Sequence, residues 1–296
     1  MMSGAIRTLL VLLCAVGCAQ AVAAQDGRGS SSSFDKLVDV GGGRRLHINC
    51  AGLNVAGSPT VLLEAGAGAT ASTWDKVQPE VAKFARVCAY DRANLGGSDR
   101  VNAPRTIVAV TEDLHALLAG ANVPGPYVLV GHSLGGILVR LYASYYPAEV
   151  AGMVLVDSAH EDEPDRALTL IPRATLKEML RQAQPGDLTV RSADQIDSCS
   201  IRQLMDALDW RSNIPLVVLT QGLPYGPDMV AVPSTAPQAY RLHLALQRDL
   251  VRRSPRGRQI IATRSGHLIQ QDQPELVIDA IRQVVREVKT TKGNGR

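Results

Sequence analysis

The sequence YVLVGHSLGG, residues 127–136, decides how this chain folds, and the apolar segment 137–146 follows it directly. The first four residues predict a buried strand, whereas segment 137–146 is compatible with a helix. Ser133 stands between them, with Gly131 and Gly135 two residues to either side. Side chains at these two positions would collide with neighbouring backbone in a sharp turn. The stretch therefore predicts a strand, a strained turn with Ser133 at its tip, and a helix.

Further strand-like segments recur along the chain and are separated by helix-like segments. Eight segments are predicted to be strands: 34–40, 45–50, 60–64, 87–91, 127–130, 153–156, 216–220 and 259–262. The first two flank three consecutive glycines and are predicted to form a hairpin. This alternation predicts an α/β fold, with an eight-stranded, mostly parallel sheet and helices on both of its faces.

Amphipathic patterns locate the helices. Apolar residues recur with helical periodicity in segment 106–119 and in the last helix, which begins near Pro274, and both stripes are predicted to face the core. The segment 159–213, between the sixth and seventh strands, is longer than a crossover needs, and short helices are predicted at 176–183 and 201–208. A connection of this length in a compact domain is typically a lid or a binding segment. We interpret 159–213 as a small helical cap.

The first 25 residues resemble a secretory signal peptide, with Arg7 before an apolar run over 9–16 and small residues for cleavage. The run is shorter than the ~20 residues that span a bilayer, so no transmembrane helix is expected. Residues 26–33 are predicted to form a flexible Gly/Ser-rich tether. The leader predicts export, to the periplasm or beyond. A lipoprotein-like cleavage site before Cys18 leaves a lipid anchor at Cys18 as the alternative.

The composition is that of a globular domain, which we place at residues 34–290 with the cap inserted in it. The chain of 296 residues is 46% hydrophobic and 20% charged. Its net charge is only +3, and the basic residues are dispersed, which argues against nucleic acid as a partner. The cysteines that follow the leader, Cys50, Cys88 and Cys199, lack metal-ligand spacing, so neither a metal nor a cofactor is predicted.

Ser133 is the predicted nucleophile, and a serine hydroxyl reacts poorly until a base takes its proton. His267 follows the eighth strand, on a loop at the carboxyl edge of the sheet, where the sites of α/β proteins gather. His47 and His115 lie within a predicted strand and helix, and His132 lies inside the turn and is predicted to point away from Ser133. We therefore interpret His267 as the general base.

With these residues in place, the chain resembles the α/β-hydrolase superfamily over its whole length after the leader. The Gly-x-Ser-x-Gly turn at 131–135 and His267 carry the resemblance, together with segments 62–66, 90–92 and 96–99. The resemblance implies a sheet ordered 1-2-4-3-5-6-7-8 in which only the second strand is antiparallel. It also implies hydrolysis that needs no cofactor.

The resemblance places a catalytic acid after the sixth or the seventh strand. Asp157 ends the sixth strand, and a rigid strand end orients an imidazole better than a loose loop does, so Asp157 is favoured. Asp228 is the first carboxylate after the seventh strand, in a loop rich in proline and glycine. Glu161 and Asp162 are further alternatives.

Other polar and aromatic residues receive structural interpretations. Segment 160–162 is predicted to form a solvated polar turn. Asp91 and Arg92 are interpreted as a structural ion pair or a loop anchor. Trp74 and Tyr142 are predicted to lie in the core.

The resemblance also implies an oxyanion hole formed by the backbone amides of Leu134 and Ala67, the second of which follows Gly66. The implied reaction is acyl transfer from a small-molecule ester or acyl substrate, with carboxylic ester hydrolysis favoured. Ser133 argues against dehalogenases and epoxide hydrolases of the superfamily, because those enzymes use a carboxylate nucleophile. Haloperoxidase-like or C–C bond hydrolase activity and a ligand receptor or sensor of the same fold remain alternatives.

In the implied strand order the second and fourth strands are neighbours. Cys50 ends the second strand and Cys88 lies near the start of the fourth, so a disulfide between them is a hypothesis. It requires the two residues to lie at one height and to point to the same face. Burial of both as free thiols is the alternative. A disulfide here leaves Cys199 as the remaining thiol.

Overall fold

The structure is a computed structural model that describes residues 30–31, 33–55, 57–182, 193–197, 201, 204–205 and 210–293. The predicted signal peptide, most of the predicted tether and Cys199 lie outside these residues. So does most of the predicted helix at 201–208.

One sheet of eight strands organises the described chain. The strands are β1 (Phe34–Asp39), β2 (Arg45–Ala51), β3 (Thr60–Glu64), β4 (Val87–Tyr90), β5 (Tyr127–His132), β6 (Val150–Val156), β7 (Leu216–Gln221) and β8 (Gly257–Ala262). Their spatial order is β1-β2-β4-β3-β5-β6-β7-β8, and β2 is antiparallel to both of its neighbours whereas the other pairs are parallel. The predicted α/β fold class is therefore confirmed.

A short two-stranded antiparallel ribbon lies outside the eight-stranded sheet. Ser30–Ser31 pairs antiparallel with Leu53–Asn54. The sequence analysis assigned these two serines to the flexible tether, whereas the structure pairs them with the chain that follows β2.

Helices cover the sheet. They are α1 (Gln78–Ala82), α2 (Ile107–Gly120), α3 (Leu134–Tyr145), α4 (Glu163–Leu168), α5 (Arg173–Gln182), α6 (Ala236–Arg252), α7 (Ile269–Asp272) and α8 (Pro274–Gly293). In the described part of the chain, none of them combines the length and the apolar character that a bilayer crossing requires. Helices α4 and α5 lie in the segment predicted to be a cap, and α5 begins and ends a few residues from the helix predicted at 176–183.

The sequence pattern predicts no helix over the segment that forms α6. The reason lies in its buried face, where His243 and Gln247 accompany Leu246 and Leu250. Both polar side chains bond to the end of β6, because His243 contacts Asp157 and Gln247 donates to the carbonyl oxygen of Ser158. Two polar residues in the buried stripe weaken the apolar periodicity by which a helix is recognised.

The hydrophobic core lies on both faces of the sheet. Strand β5 is buried along its whole length, and its residues alternate between two apolar clusters. Leu129 belongs to the cluster that contains Leu114 of α2, whereas Val128 belongs to the cluster that contains Ile281 of α8. This alternation follows from the period of two in a strand. The apolar stripes of both helices are thereby confirmed as core, and Trp74 and Tyr142 are fully buried, as predicted.

Cys50 and Cys88 lie directly opposite each other in the antiparallel pairing of β2 with β4. Their Cα atoms are 4.1 Å apart, and the structure joins them by a disulfide. Both residues are buried against the first of the two apolar clusters. The bond ties the antiparallel strand to the parallel part of the sheet.

Replacing Cys50 and Cys88 together by serine is expected to lower the free energy of unfolding by ~4 kcal/mol, because the bond closes a loop and so reduces the conformational entropy of the unfolded chain. The bonded residues are separated by 38 positions. Urea unfolding with and without reductant measures the effect. Reductant should weaken the parent chain and leave the double variant unchanged. Equal stability of the parent with and without reductant contradicts the assignment.

Candidate active site

Ser133 occupies the tip of the turn between β5 and α3. Its backbone has φ 52° and ψ −122°, a left-handed conformation that costs a non-glycine residue about 1–3 kcal/mol. Hydrogen bonds from both sides hold it there. The Ser133 amide donates to the carbonyl oxygen of Val156 at 3.2 Å, and the amides of Gly136 and Ala159 donate to the Ser133 carbonyl at 2.9 and 3.0 Å. The strained turn expected from the sequence is present.

The glycines on either side of Ser133 are required by backbone approach. A Cβ atom at Gly131 would lie 2.5 Å from the carbonyl oxygen of Gly135, and one at Gly135 would lie 2.5 Å from that of Glu64. Neither contact is sterically possible without moving backbone. The turn therefore accepts no side chain at these two positions.

Asp157 and His267 meet although 110 positions separate them. The Nδ1 atom of His267 lies 2.7 Å from Oδ2 of Asp157. The side chain of Asp157 is 0% exposed and that of His267 is 38% exposed, so the carboxylate is buried beneath an imidazole that reaches the surface. This contact orients the imidazole and fixes which of its nitrogens faces away from the carboxylate.

Hydrogen bonds to both carboxylate oxygens stabilise the charged form of Asp157. The amide of Gln221 donates to Oδ1 at 2.9 Å, from the end of the neighbouring strand β7. Burial works against the charged form, but the hydrogen bonds from His243 and His267 outweigh it and lower the pKa of Asp157 to about 2. Asp157 is therefore a carboxylate at neutral pH.

The other candidate acids lie elsewhere. Asp228 is exposed, in the short 3₁₀ turn Pro227–Met229. Glu161 pairs with Arg140 at 2.7 Å and with Arg253 at 3.0 Å. Among the four carboxylates considered from the sequence, the structure brings Asp157 to His267.

His243 is a site residue that the sequence analysis did not single out. It lies on the buried face of α6, and its Nε2 atom is 2.9 Å from Oδ1 of Asp157. Burial lowers the pKa of His243, but the hydrogen bond to Asp157 and the charges of Asp157 and Glu163 outweigh burial and raise this pKa to about 9. The sequence pattern that could have revealed it is helical spacing, because His243 falls on the same face of a helix as Leu246 and Leu250.

His132 steadies the loop that carries His267. Burial and the neighbouring His267 lower the pKa of His132 to about 4, so its ring is neutral at physiological pH. Its Nε2 atom lies 3.0 Å from the carbonyl oxygen of His267, and the two ring centroids are 4.7 Å apart. As the imidazole nitrogen that faces a carbonyl, Nε2 carries the proton and donates.

The segment that would carry the second oxyanion amide packs against the turn. A Cβ atom at Gly66 would lie 3.3 Å from Cβ of Ser133, and the exposed Ala67 follows. The guanidinium of Arg92 donates to the carbonyl oxygens of Ala65 and Gly66 at 2.8 and 2.5 Å. On the other side of the turn, Leu134 is the first residue of α3, where an amide has no intrahelical acceptor.

Asp91 and Arg92 do not pair with each other. Arg92 is buried and forms ion pairs with Glu64 and Asp194. Asp91 accepts hydrogen bonds from the amides of Ala71 and Gly97 at 2.7 and 3.0 Å. Of the two interpretations made from the sequence, the ion pair between these residues is wrong, whereas the loop anchor agrees with the structure, because each residue holds a loop through other partners.

The interpretation of residues 160–162 as a solvated turn is also wrong for its first two members. His160 and Glu161 are 2% and 4% exposed. Glu161 lies between Arg140 and Arg253. Its burial raises its pKa, but the charges of Arg140 and His160 and the hydrogen bond from Arg140 outweigh burial and lower the pKa of Glu161 to about 2. The segment is a buried ionic anchor where the chain leaves β6.

A cavity of about 320 Å³ opens beside His267. Its walls come from α4, from the chain that follows α4 and from the segment between β7 and α6. The walls are mostly apolar. Among the residues that line the cavity are Glu163, Leu170, Ile171, Tyr225, Val232 and His267. Within the described residues, no group of three or more metal-binding side chains is present.

Comparison with known proteins is consistent with this geometry. A family model described as alpha/beta hydrolase fold matches residues 59–281. The uncharacterized protein YqjL of Bacillus subtilis is 28% identical over 225 residues, which cover 76% of this chain and 83% of YqjL. Several other curated relatives are much longer, and the chain spans only 15–20% of their length.

Two solved structures share the fold. A thermophilic esterase from Thermogutta terrifontis has a TM-score of 0.59 at 20% identity, covering 87% of this chain and 99% of the esterase. A hydrolase from Pseudomonas aeruginosa has a TM-score of 0.59 at 19% identity, covering 87% and 98% of the two chains. Identities this low show the fold alone.

The contact between Asp157 and His267 can be tested without any assumption about activity. A short, charge-assisted hydrogen bond moves the proton it contains far downfield in an NMR spectrum. We expect such a resonance from Nδ1–H of His267 in the parent chain. Asp157→Asn should remove it, and the matched variant Asp228→Asn should leave it in place. The opposite pattern transfers the partner role to Asp228.

Proposed function

The chain belongs to the α/β-hydrolase fold family, and on that premise we propose that it is an exported serine hydrolase that cleaves carboxylic esters through Ser133, His267 and Asp157. The observation that carries the proposal is the 2.7 Å contact between Asp157 and His267 beside a strained turn that presents Ser133. A nucleophile, a base and an acid that orients the base are the parts that acyl transfer requires.

The proposed reaction has two steps. Nδ1 of His267 faces Asp157, so Nε2 is the nitrogen that accepts the hydroxyl proton of Ser133. As the proton leaves, the hydroxyl oxygen of Ser133 attacks the ester carbonyl carbon. Collapse of the tetrahedral intermediate breaks the ester C–O bond, and His267 gives its proton to the departing alcohol. Water then attacks the acyl-serine with the help of the same base, which releases the carboxylic acid and restores Ser133.

Charge develops at two places during attack, and a partner is proposed for each. The amides of Leu134 and Ala67 are proposed to bind the oxyanion, and loss of one such donor typically costs ~3–4 kcal/mol of transition-state stabilisation. The Asp157 carboxylate is proposed to stabilise the imidazolium that forms at His267. The hydrogen bonds from Arg92 to the carbonyls of Ala65 and Gly66 support the loop that carries the Ala67 amide.

The cavity beside His267 indicates the substrate class. Its volume of about 320 Å³ lies near the lower end of the ~300–1,000 Å³ common for ligand sites. Leu170, Ile171 and Val232 in its walls favour an apolar group. We therefore propose small esters with an apolar acyl or alcohol part as substrates.

Export is proposed on two grounds. The leader has the arrangement of a signal peptide. The buried disulfide between Cys50 and Cys88 belongs in an oxidising compartment. Lipidation at Cys18 stays the alternative to a soluble exported form.

Ser133→Ala is expected to abolish hydrolysis of a panel of small esters and labelling by a fluorophosphonate probe, since both need the hydroxyl. Folding should be unchanged, because backbone contacts rather than the hydroxyl hold the turn. Ser144→Ala is the matched control and should keep full activity, because Ser144 lies in the last turns of α3, the helix that follows Ser133, and its hydroxyl donates to the carbonyl oxygen of Arg140. Residual turnover of Ser133→Ala within tenfold of the parent contradicts the proposal. Labelling of the parent without turnover favours a ligand sensor.

Asp157→Asn is expected to lower kcat by ~10⁴, because the amide favours the wrong tautomer of His267 and offers no charge to the imidazolium. Steady-state kinetics on the best ester of the panel measures the change. Asp228→Asn should be nearly silent. A large loss in Asp228→Asn, with Asp157→Asn little changed, assigns the acid to Asp228.

A further inference from the structure

The proposed catalytic carboxylate is shared between two histidines. His267 contacts Oδ2 of Asp157 at 2.7 Å, and His243 contacts Oδ1 at 2.9 Å from the opposite side. His243 is 2% exposed, whereas the side chain of His267 is 38% exposed. The proposed mechanism employs His267 and gives no part to His243.

A second carboxylate faces the other nitrogen of His243. Its Nδ1 atom lies 3.5 Å from Oε1 of Glu163, which is an ion-pair distance, and within the described structure this buried nitrogen has no hydrogen-bond partner. Glu163 comes from α4 and lines the cavity beside His267. The ring of Tyr225, in the loop after β7, lies 5.5 Å from the ring of His243 between centroids.

The charges around His243 are therefore of one sign. Asp157 faces it from the end of β6 and Glu163 from α4, while the neutral hydroxyl of Tyr225 points to Glu163 at 3.4 Å. His267 contacts the other oxygen of Asp157, and the ring of Tyr240, on the same helix as His243, lies 5.8 Å from that of Tyr225. Burial disfavours a cation here, but the two carboxylates outweigh it and raise the pKa of His243 to about 9. His243 is then an imidazolium at neutral pH.

We propose that His243 is a positioning residue of this site: as a cation held between Asp157 and Glu163, it offsets the negative charge of the carboxylate that contacts His267 and extends activity to lower pH. The inference rests on the proposed function, since it assigns His267 as the base.

The reason is electrostatic competition for one carboxylate. An imidazolium at His243 offsets much of the negative charge that Asp157 presents to His267. A positive charge beside Asp157 on the His267 side is then less stabilised, so the acidic limit of activity lies at lower pH than it would without the His243 cation. A unit charge several ångströms away at an effective dielectric of ~20 moves such a titration by ~1 pH unit or more.

Two effects of losing this cation can be separated. Without the charge, the acidic limb of the pH profile moves upward, because the unopposed carboxylate of Asp157 favours the cationic form of the proposed base. The plateau above the limb does not fall, because a stronger base and an unopposed carboxylate favour proton transfer there. If His243 had a purely structural role, its loss would instead lower the plateau of the pH profile of kcat/KM and leave the acidic limb at the same pH.

The test compares His243→Gln, which keeps a donor toward Asp157 but removes the charge, with the parent and with Arg241→Gln. Arg241 is an exposed cation on the same helix, so its variant controls for loss of one positive charge. We expect the acidic limb of kcat/KM to move up by ~1 pH unit in His243→Gln, with a plateau within threefold of the parent, and to stay in place in Arg241→Gln. An unmoved limb in His243→Gln, or an equal shift in Arg241→Gln, overturns the inference.

A second measurement needs neither activity nor a variant that folds. NMR titration of the assigned histidine ring protons of the parent chain should show His243 still charged at pH 8. Titration of His243 below pH 7 overturns the inference. Failure of the proposed function looks different: the parent chain then hydrolyses no ester and fails to label at Ser133, whatever the charge on His243.

Discussion

Four elements of the fold converge on the carboxylate of Asp157. The residue ends β6, its Oδ1 accepts from the Gln221 amide at the end of β7 and from His243 on α6, and its Oδ2 accepts from His267 after β8. An unpaired buried carboxylate would cost several kcal/mol, so these donors are a condition for burying it at all. Parallel strands bring their carboxyl ends to one edge, which explains why residues this far apart in sequence can meet there.

Buried ion pairs hold the loops around this point. Arg140 of α3 and Arg253 both contact Glu161, so the chain that leaves β6 is tied to the helix that follows Ser133. Arg92 binds the carbonyl of Gly66 in the segment packed against Ser133. Removing one member of such a pair typically costs ~3–5 kcal/mol, whereas the intact pair contributes little net stability. Their effect is to position loops rather than to stabilise the domain.

Much of the fold could be predicted because its signals are local. Strands β3 and β5, with their apolar runs, and the glycines around Ser133 are visible in short windows of sequence, and each of these features is present in the structure. Helix α6 was missed because its buried face includes His243 and Gln247, whose partners are the two residues directly after β6. A polar residue that is satisfied by a distant partner looks, in sequence, like one that faces solvent.

The sequence by itself determined the strand–turn–helix at Ser133, the α/β class and the place of His267 after the last strand, because steric demands of a turn and periodicity of burial act between near neighbours. Only the tertiary structure decided that Asp157 rather than Asp228 meets His267, that Cys50 lies opposite Cys88, that Glu161 is buried between arginines and that His243 shares the carboxylate. These contacts join residues that are separated by tens of positions in the sequence and that only the folded sheet brings together. Partners so far apart leave no pattern in a single sequence.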